Sequence, residues 1–99
     1  MSRRLDGEEI ARQLADLPGW AGDEVEIARS YAFPEFLAVI RAVDEIAVVA
    51  EAMNHHPDLD IRWRTLRVVL STHDAGGVTQ LDIELAHRIR EIAAAHGAQ

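Results

Sequence analysis

The chain contains no cysteine, which excludes a disulfide framework and any metal site built on thiolates. Lysine is absent as well: every one of its 10 basic residues is an arginine. Schiff-base chemistry and a lysine acting as acid or nucleophile are therefore excluded. No apolar run approaches the length needed to span a bilayer. The opening stretch, MSRRLDGEEI, has two arginines with no apolar segment behind them, so a secretory signal is not expected. Internal repeats, low-complexity tracts and linkers are also missing. By default these absences lead us to expect a cytoplasmic protein.

What is present is a chain of 99 residues, 48% of them apolar. That is enough for one domain with its own core, covering residues 1–99, and too apolar for a disordered segment. Seventeen acidic residues against 10 basic ones give a formal net charge of −7. Nucleic-acid binding needs clustered positive charge, so no nucleic-acid partner is expected. The densest basic cluster, RWRTLR at residues 62–67, reads as the outer face of a strand.

Asp6 and Glu9 have the spacing of an N-cap and its reciprocal partner, opening a short helix that carries Ile10, Leu14 and Leu17 on one side. Pro18-Gly19 stops it. The segment WAGDEVEIARSYAF reads as a hairpin, with Trp20 on the first strand and residues 25 to 33 on the second. A long helix then runs from Pro34 to about Asn54, with proline in a permitted first-turn position. It has two apolar stripes: Phe36, Ile40, Val43, Ala47 and Ala50, and beside them Val39, Ala42, Ile46, Val49 and Met53. Together they exceed what one buried face needs, so this helix is expected to be covered both by its own sheet and by another subunit.

After Pro57 the apolar positions change parity. Leu59, Ile61 and Trp63 are odd; Leu66, Val68 and Leu70 are even. Side chains alternate with period two along a strand, so the change means a bulge or a reversal. A hairpin turning near Arg64-Thr65 is the reading adopted, although no glycine or asparagine marks the turn. Finally, Thr79 with Asp82 opens a last helix that faces Leu85, Ala86, Ile89, Ile92 and Ala93 inward and stops at Gly97. The order α-β-β-α-β-β-α suits an α+β fold, an antiparallel sheet with helices packed on one face.

The chain has five histidines, and the hairpin reading brings three of them together. His55 and His56 follow the long helix, while His73 follows the second strand of the hairpin, beside Ser71 and Thr72. Imidazole gives and takes protons near neutrality, so such a cluster points to acid/base catalysis or to metal binding. A single histidine at a helix end more often only caps carbonyls. His87 and His96, on the last helix, are assigned no function.

The runs AEAMNHHPD and LSTHDAGGVTQLD resemble the pterin-4a-carbinolamine dehydratases. The match rests on Glu51, His55, His56, Pro57, Thr72, His73, Gly77, Thr79 and Asp82, with the Leu17-to-Trp20 segment, Phe33 and Phe36 in support. The resemblance implies a four-stranded antiparallel sheet with helices on one face. It also implies dehydration of a 4a-hydroxytetrahydropterin to the quinonoid dihydropterin, in support of tetrahydropterin recycling, with no metal or organic cofactor. His55 and His73 would form the acid/base pair and His56 would position the pterin. Asn54, Ser71 and Thr72 would bind the ring, with Glu51 and Asp82 in supporting roles. Homodimers or homotetramers through helix faces are implied too. Asn54, Leu59 and Trp63 depart from residues often found at those points, which bears on any charge at position 54 and on the pocket wall.

Two other readings use the same residues differently. Three histidines can hold zinc with a position left open for water, although adjacent histidines seldom aim at one ion and would need carboxylates behind them. Alternatively the chain is a non-catalytic dimerisation or transcription-coactivator-like protein, working through the second apolar stripe of its long helix, Val39 to Met53.

Overall fold

Asp6 caps the first helix as its spacing implies. In the computed structural model, which describes residues 3–99, its side chain accepts from Glu9 N–H at 2.8 Å and Glu9 returns the contact at 3.0 Å. Met1 and Ser2 lie outside the described residues. Arg3 grips both oxygens of Glu9. That hydrogen bond, then the one from Asp6 N–H, lowers the Glu9 carboxyl to about 2. This cap opens α1 (Gly7–Leu14), followed by β1 (Ala21–Gly22), β2 (Ile27–Ala32), α2 (Phe36–Met53), β3 (Asp58–Arg62), β4 (Thr65–Leu70), a 3₁₀ turn (His73–Ala75) and α3 (Gln80–Ala95).

The strands form one antiparallel sheet in the order β1-β2-β4-β3. Ile27 pairs with Leu70, and Tyr31 with Leu66. These side chains, with Val68, share a buried cluster with Ala38, Val39, Ala42 and Ile46 of α2 and Ile83, Leu85, Ala86, Ile89 and Ala93 of α3. On the opposite face Ser30, Asp60 and Arg67 are exposed. Helices therefore cover one face only, as the order of elements implies. Among the described residues no helix is long and apolar enough to cross a membrane.

The parity change resolves as a reversal. Arg62 pairs with Thr65, so Trp63 and Arg64 alone make the turn, and Leu59↔Val68 and Ile61↔Leu66 bring odd and even positions onto the same face. Trp63 takes the left-handed conformation, φ 52, that two-residue hairpin turns reserve for Asn, Asp or Gly. It is 72% exposed, with the Arg64 guanidinium 4.5 Å from its ring centroid. Asparagine adopts this backbone at lower cost than tryptophan. Trp63→Asn is therefore expected to stabilise the fold by about 0.5–1 kcal/mol, raising the thermal midpoint by several degrees. A lower midpoint in a circular-dichroism melt would show that Arg64 on the indole matters more than turn strain.

Three expectations need correction. The first hairpin is shorter than the sequence suggested: Trp20 precedes β1, and Val25, 65% exposed, sits in a turn where Asp23 Oδ1 accepts from Val25 N–H at 2.8 Å. An aspartate-built turn outcompetes the β propensity of its neighbours. Next, α2 begins at Phe36 with Glu35 as N-cap, leaving Pro34 outside. The third concerns its two stripes. Val39, Ala42 and Ile46 are buried, whereas Phe36 is 46% exposed and Ala47 is open. The second stripe faces the chain's own core, joined there by Ala50 and Val43 of the first, and the outer face is made by Phe36 and Ala47 together with Leu37 and Val48, 57% and 70% exposed. An aspartate at Phe36 would thus stay in water, and one at Val39 would destroy the core.

Candidate active site

The end of α2 places the first two histidines. Asn54 adopts φ 49, ψ 43, a left-handed C-cap that asparagine accepts readily. Its N–H and that of His55 both return to Ala50 O, and this tight reversal turns His55 inward while His56 stays exposed. The C-terminal end of β4 supplies the third. Ser71 Oγ donates to Val25 O at 2.7 Å. Thr72 and Gly77 exchange backbone hydrogen bonds at 2.9 and 3.2 Å, closing a loop that carries His73 on its 3₁₀ turn. Glycine is needed at position 77, because a Cβ there would lie 2.4 Å from Glu24 O.

Because β3 and β4 double back, the two ends meet. Asn54, His55, His56, Ser71, Thr72, His73 and Asp74 line one cavity of about 190 Å³. A second cavity of about 420 Å³ shares Asn54, His55, Thr72 and Asp74 with it and extends to Arg4, Met53 and Leu81. Each of the three histidines singled out by the sequence, and each of the three proposed ring contacts, borders the first cavity.

Beneath His55 lies a carboxylate with no exposure, Asp82. Its Oδ1 is 2.5 Å from His55 Nε2. Its Oδ2 accepts from Thr72 Oγ1 at 2.7 Å and from Thr79 N–H at 2.9 Å. Thr79 Oγ1 stands 2.8 Å from Thr72 Oγ1 and so donates to it, since the Thr72 proton is directed at Asp82. The Asp82–Thr79 contact is the capping box of α3. One carboxylate thus fixes the helix start and orients an imidazole from the far end of α2, which sequence spacing alone did not reveal. A buried carboxylate behind one ring nitrogen sets which nitrogen carries the proton and leaves the other for chemistry. His56 Nε2 meets Glu51 Oε1 at 2.6 Å, but both are exposed, so this pair orients loosely and adds little stability.

Thr72 has its hydroxyl, its N–H and its carbonyl all engaged inside the protein. His73 is exposed. Among the described residues no three His, Asp or Glu side chains are grouped as a metal cage. The remaining histidines lie elsewhere: His96 caps α3 and pairs with Glu45 of α2, and His87 is half-buried along α3. Sequence reading overlooked Arg4 and Asp74 as cavity residues. Asp74 adjoins His73 and could have been suspected; nothing marked Arg4.

An α+β fold that places an imidazole backed by a buried carboxylate, and two further imidazoles, around one small open cavity has the groups that histidine acid/base chemistry uses. The family model of pterin 4 alpha carbinolamine dehydratase matches residues 3–92, and the chain belongs to that family of hydro-lyases. A relative from Roseiflexus sp. (strain RS-1), provisionally named pterin-4-alpha-carbinolamine dehydratase, is 48% identical over 92 residues, covering 93% of this chain and 99% of its own. One from Nocardia farcinica, with the same provisional name, is 51% identical over 89 residues, 90% of this chain and 94% of its own. The crystal structure of a transcriptional coactivator/pterin dehydratase from Brucella melitensis superposes with a TM-score of 0.88 at 33% identity, over 92% of this chain and 99% of that one.

Proposed function

We propose that this chain, acting as one domain over residues 1–99, removes water from a 4a-hydroxytetrahydropterin to give the quinonoid dihydropterin, serving tetrahydropterin recycling in the cytoplasm. The reaction breaks the C4a–O bond and the N5–H bond. One proton goes onto the departing hydroxyl, another leaves N5, and the products are water and a C4a=N5 double bond. Two imidazoles perform both transfers and exchange protons with solvent afterwards. In this reading His55 and His73 are the acid/base pair. Asp82 orients His55, and Thr72 acts on the ring mainly through Asp82. His56, steadied by Glu51, positions the pterin, while Asn54 and Ser71 offer lone pairs and backbone groups at the cavity wall. No metal or organic cofactor is required by this scheme.

The observation that carries the reading is the cavity itself: histidines from two separate segments border one space, with a buried carboxylate behind one of them. The experiment is direct. A synthetic carbinolamine is mixed with the purified protein, and loss of its absorbance is followed against buffer. Dehydration well above the spontaneous rate is expected. A rate equal to that of buffer would remove the enzymatic reading.

A second reading, assembly through α2, is favoured by the exposure of Leu37 and Val48, since open apolar side chains grouped on one helix face commonly mark an interface. We propose a homodimer or homotetramer formed through this face. Val48→Asp is expected to lower the light-scattering mass without altering the far-ultraviolet spectrum. An unchanged mass rejects this face as the interface. A coactivator-like role would use the same surface, and it gains ground if the protein oligomerises but fails the dehydration assay.

A further inference from the structure

Two consecutive carbonyls of the first hairpin turn hold both stems of the loop that carries His73. Val25 O accepts from Ser71 Oγ at 2.7 Å just before the loop, and Glu24 O accepts from Val78 N–H at 2.9 Å just after it. Between these points Thr72 and Gly77 close the loop on itself. Among the described residues the His73 imidazole has no hydrogen-bond partner, unlike His55, His56 and His96. Its place is therefore set by the main chain, and the main chain leans on the turn.

Asp23 fixes that turn. Its Oδ1 accepts from Val25 N–H at 2.8 Å and from Glu26 N–H at 3.3 Å, while its own N–H donates to Glu26 O at 3.0 Å. Each peptide unit is a rigid plane whose N–H and C=O point in opposite directions when the bond is trans. The unit that carries Val25 N–H also carries Glu24 C=O, and the unit that carries Glu26 N–H also carries Val25 C=O. By holding both N–H groups on one side, a single carboxylate oxygen aims both carbonyls out on the other, at Val78 and at Ser71. Asp23 itself borders neither of the two cavities at the active site.

We propose that Asp23 is a positioning residue for His73, acting through the Glu24 and Val25 carbonyls without touching the substrate. Its effect on rate rests on the dehydratase reading above; its effect on the loop does not. The test is a double-mutant cycle on carbinolamine dehydration. Asp23 is exposed, so Asp23→Ala is expected to stay folded. It should lower kcat by about tenfold with KM little changed, because a small misplacement of a reacting group costs up to about 10²-fold. In a His73→Ala background the same substitution should cost nothing further, since no imidazole is left to place. A purely structural role would slow both backgrounds alike. Asp23→Asn, whose amide oxygen accepts as the carboxylate does, should restore the wild-type rate. Amide hydrogen exchange reads the loop without any substrate. Thr72, Gly77 and Val78 should exchange about tenfold faster in Asp23→Ala, the scale of one lost hydrogen bond, with α3 unchanged and Asp23→Asn like wild type. A wild-type protein that dehydrates nothing would sink the catalytic reading and leave exchange to decide the placement of the loop. Should Asp23→Ala fail to fold, Asp23→Ser, a weaker cap of the same turn, replaces it, with a smaller effect in the same direction. Equal losses in both backgrounds, or unaltered exchange at Thr72, Gly77 and Val78, overturn the proposal.

Discussion

Asp82→Asn is expected to lower dehydration turnover by about 10²-fold or more while the protein remains folded, the scale of losing a positioned acid/base group. The amide is nearly the shape of the carboxylate, and its oxygen can still accept from Thr72 and from the Thr79 N–H that now reach Oδ2. Its nitrogen must then face His55 Nε2, where Oδ1 stands 2.5 Å away in the native protein. An amide N–H cannot accept a proton, so the imidazole has to shift its proton to the other nitrogen or abandon the contact, and either change removes the group poised for transfer. Asp82→Ala goes further, leaving buried donors without an acceptor. It is expected to cost about 3 kcal/mol, roughly 10 °C or more in thermal midpoint for a domain of this size. Turnover and melting of the two variants together separate orientation from support. If the asparagine variant were folded and fully active, Asp82 would be a helix cap and nothing more.

His73→Ala should show the opposite balance. The residue is exposed on its 3₁₀ turn, and the loop is held by backbone hydrogen bonds between Thr72 and Gly77, none of which involves the imidazole. Truncation is therefore expected to alter stability by no more than about 0.5 kcal/mol and turnover by about 10²-fold or more. Such a large rate effect with so little structural effect is the signature of a group that handles protons. Measured beside it, His56→Ala should be the milder variant, because its Glu51 partner is exposed and the pair only steadies the pocket rim. Unchanged turnover in His73→Ala would transfer the second proton to another residue or to water.

The sequence disclosed most of what positions this site. Parity allows a bulge or a reversal near Arg64-Thr65, and the reversal adopted is the one found, one residue earlier at Trp63-Arg64, with Leu66, Val68 and Leu70 kept in the core. The Thr79–Asp82 cap was legible because capping is local. The bond from Asp82 to His55 was not, because it links residues 27 apart through the packing of α3 against the end of α2, and spacing contains no signal for such a contact. The same limit explains the stripes of α2. Both are apolar, and only the position of α3 decides that Val39, Ala42 and Ile46 lie inside while Phe36 and Val48 remain in water. Val25 misled through its intrinsic β preference, which the side-chain hydrogen bonds of Asp23 overrode. Arg4 escaped notice because an arginine near a chain start carries no motif, and its placement depends on the absence of a side chain at Gly77.

The arrangement is tested most directly by a crystal structure of the protein soaked with 7,8-dihydrobiopterin, a stable ligand that keeps the shape of the product. The account predicts the pterin ring in the cavity between the end of α2 and the His73 turn, with ring nitrogens of both His55 and His73 within about 2.6–3.2 Å of pterin atoms or of one bridging water. A ring bound elsewhere, or bound there with His73 turned away from it, would contradict the shared pocket on which the proposed chemistry depends.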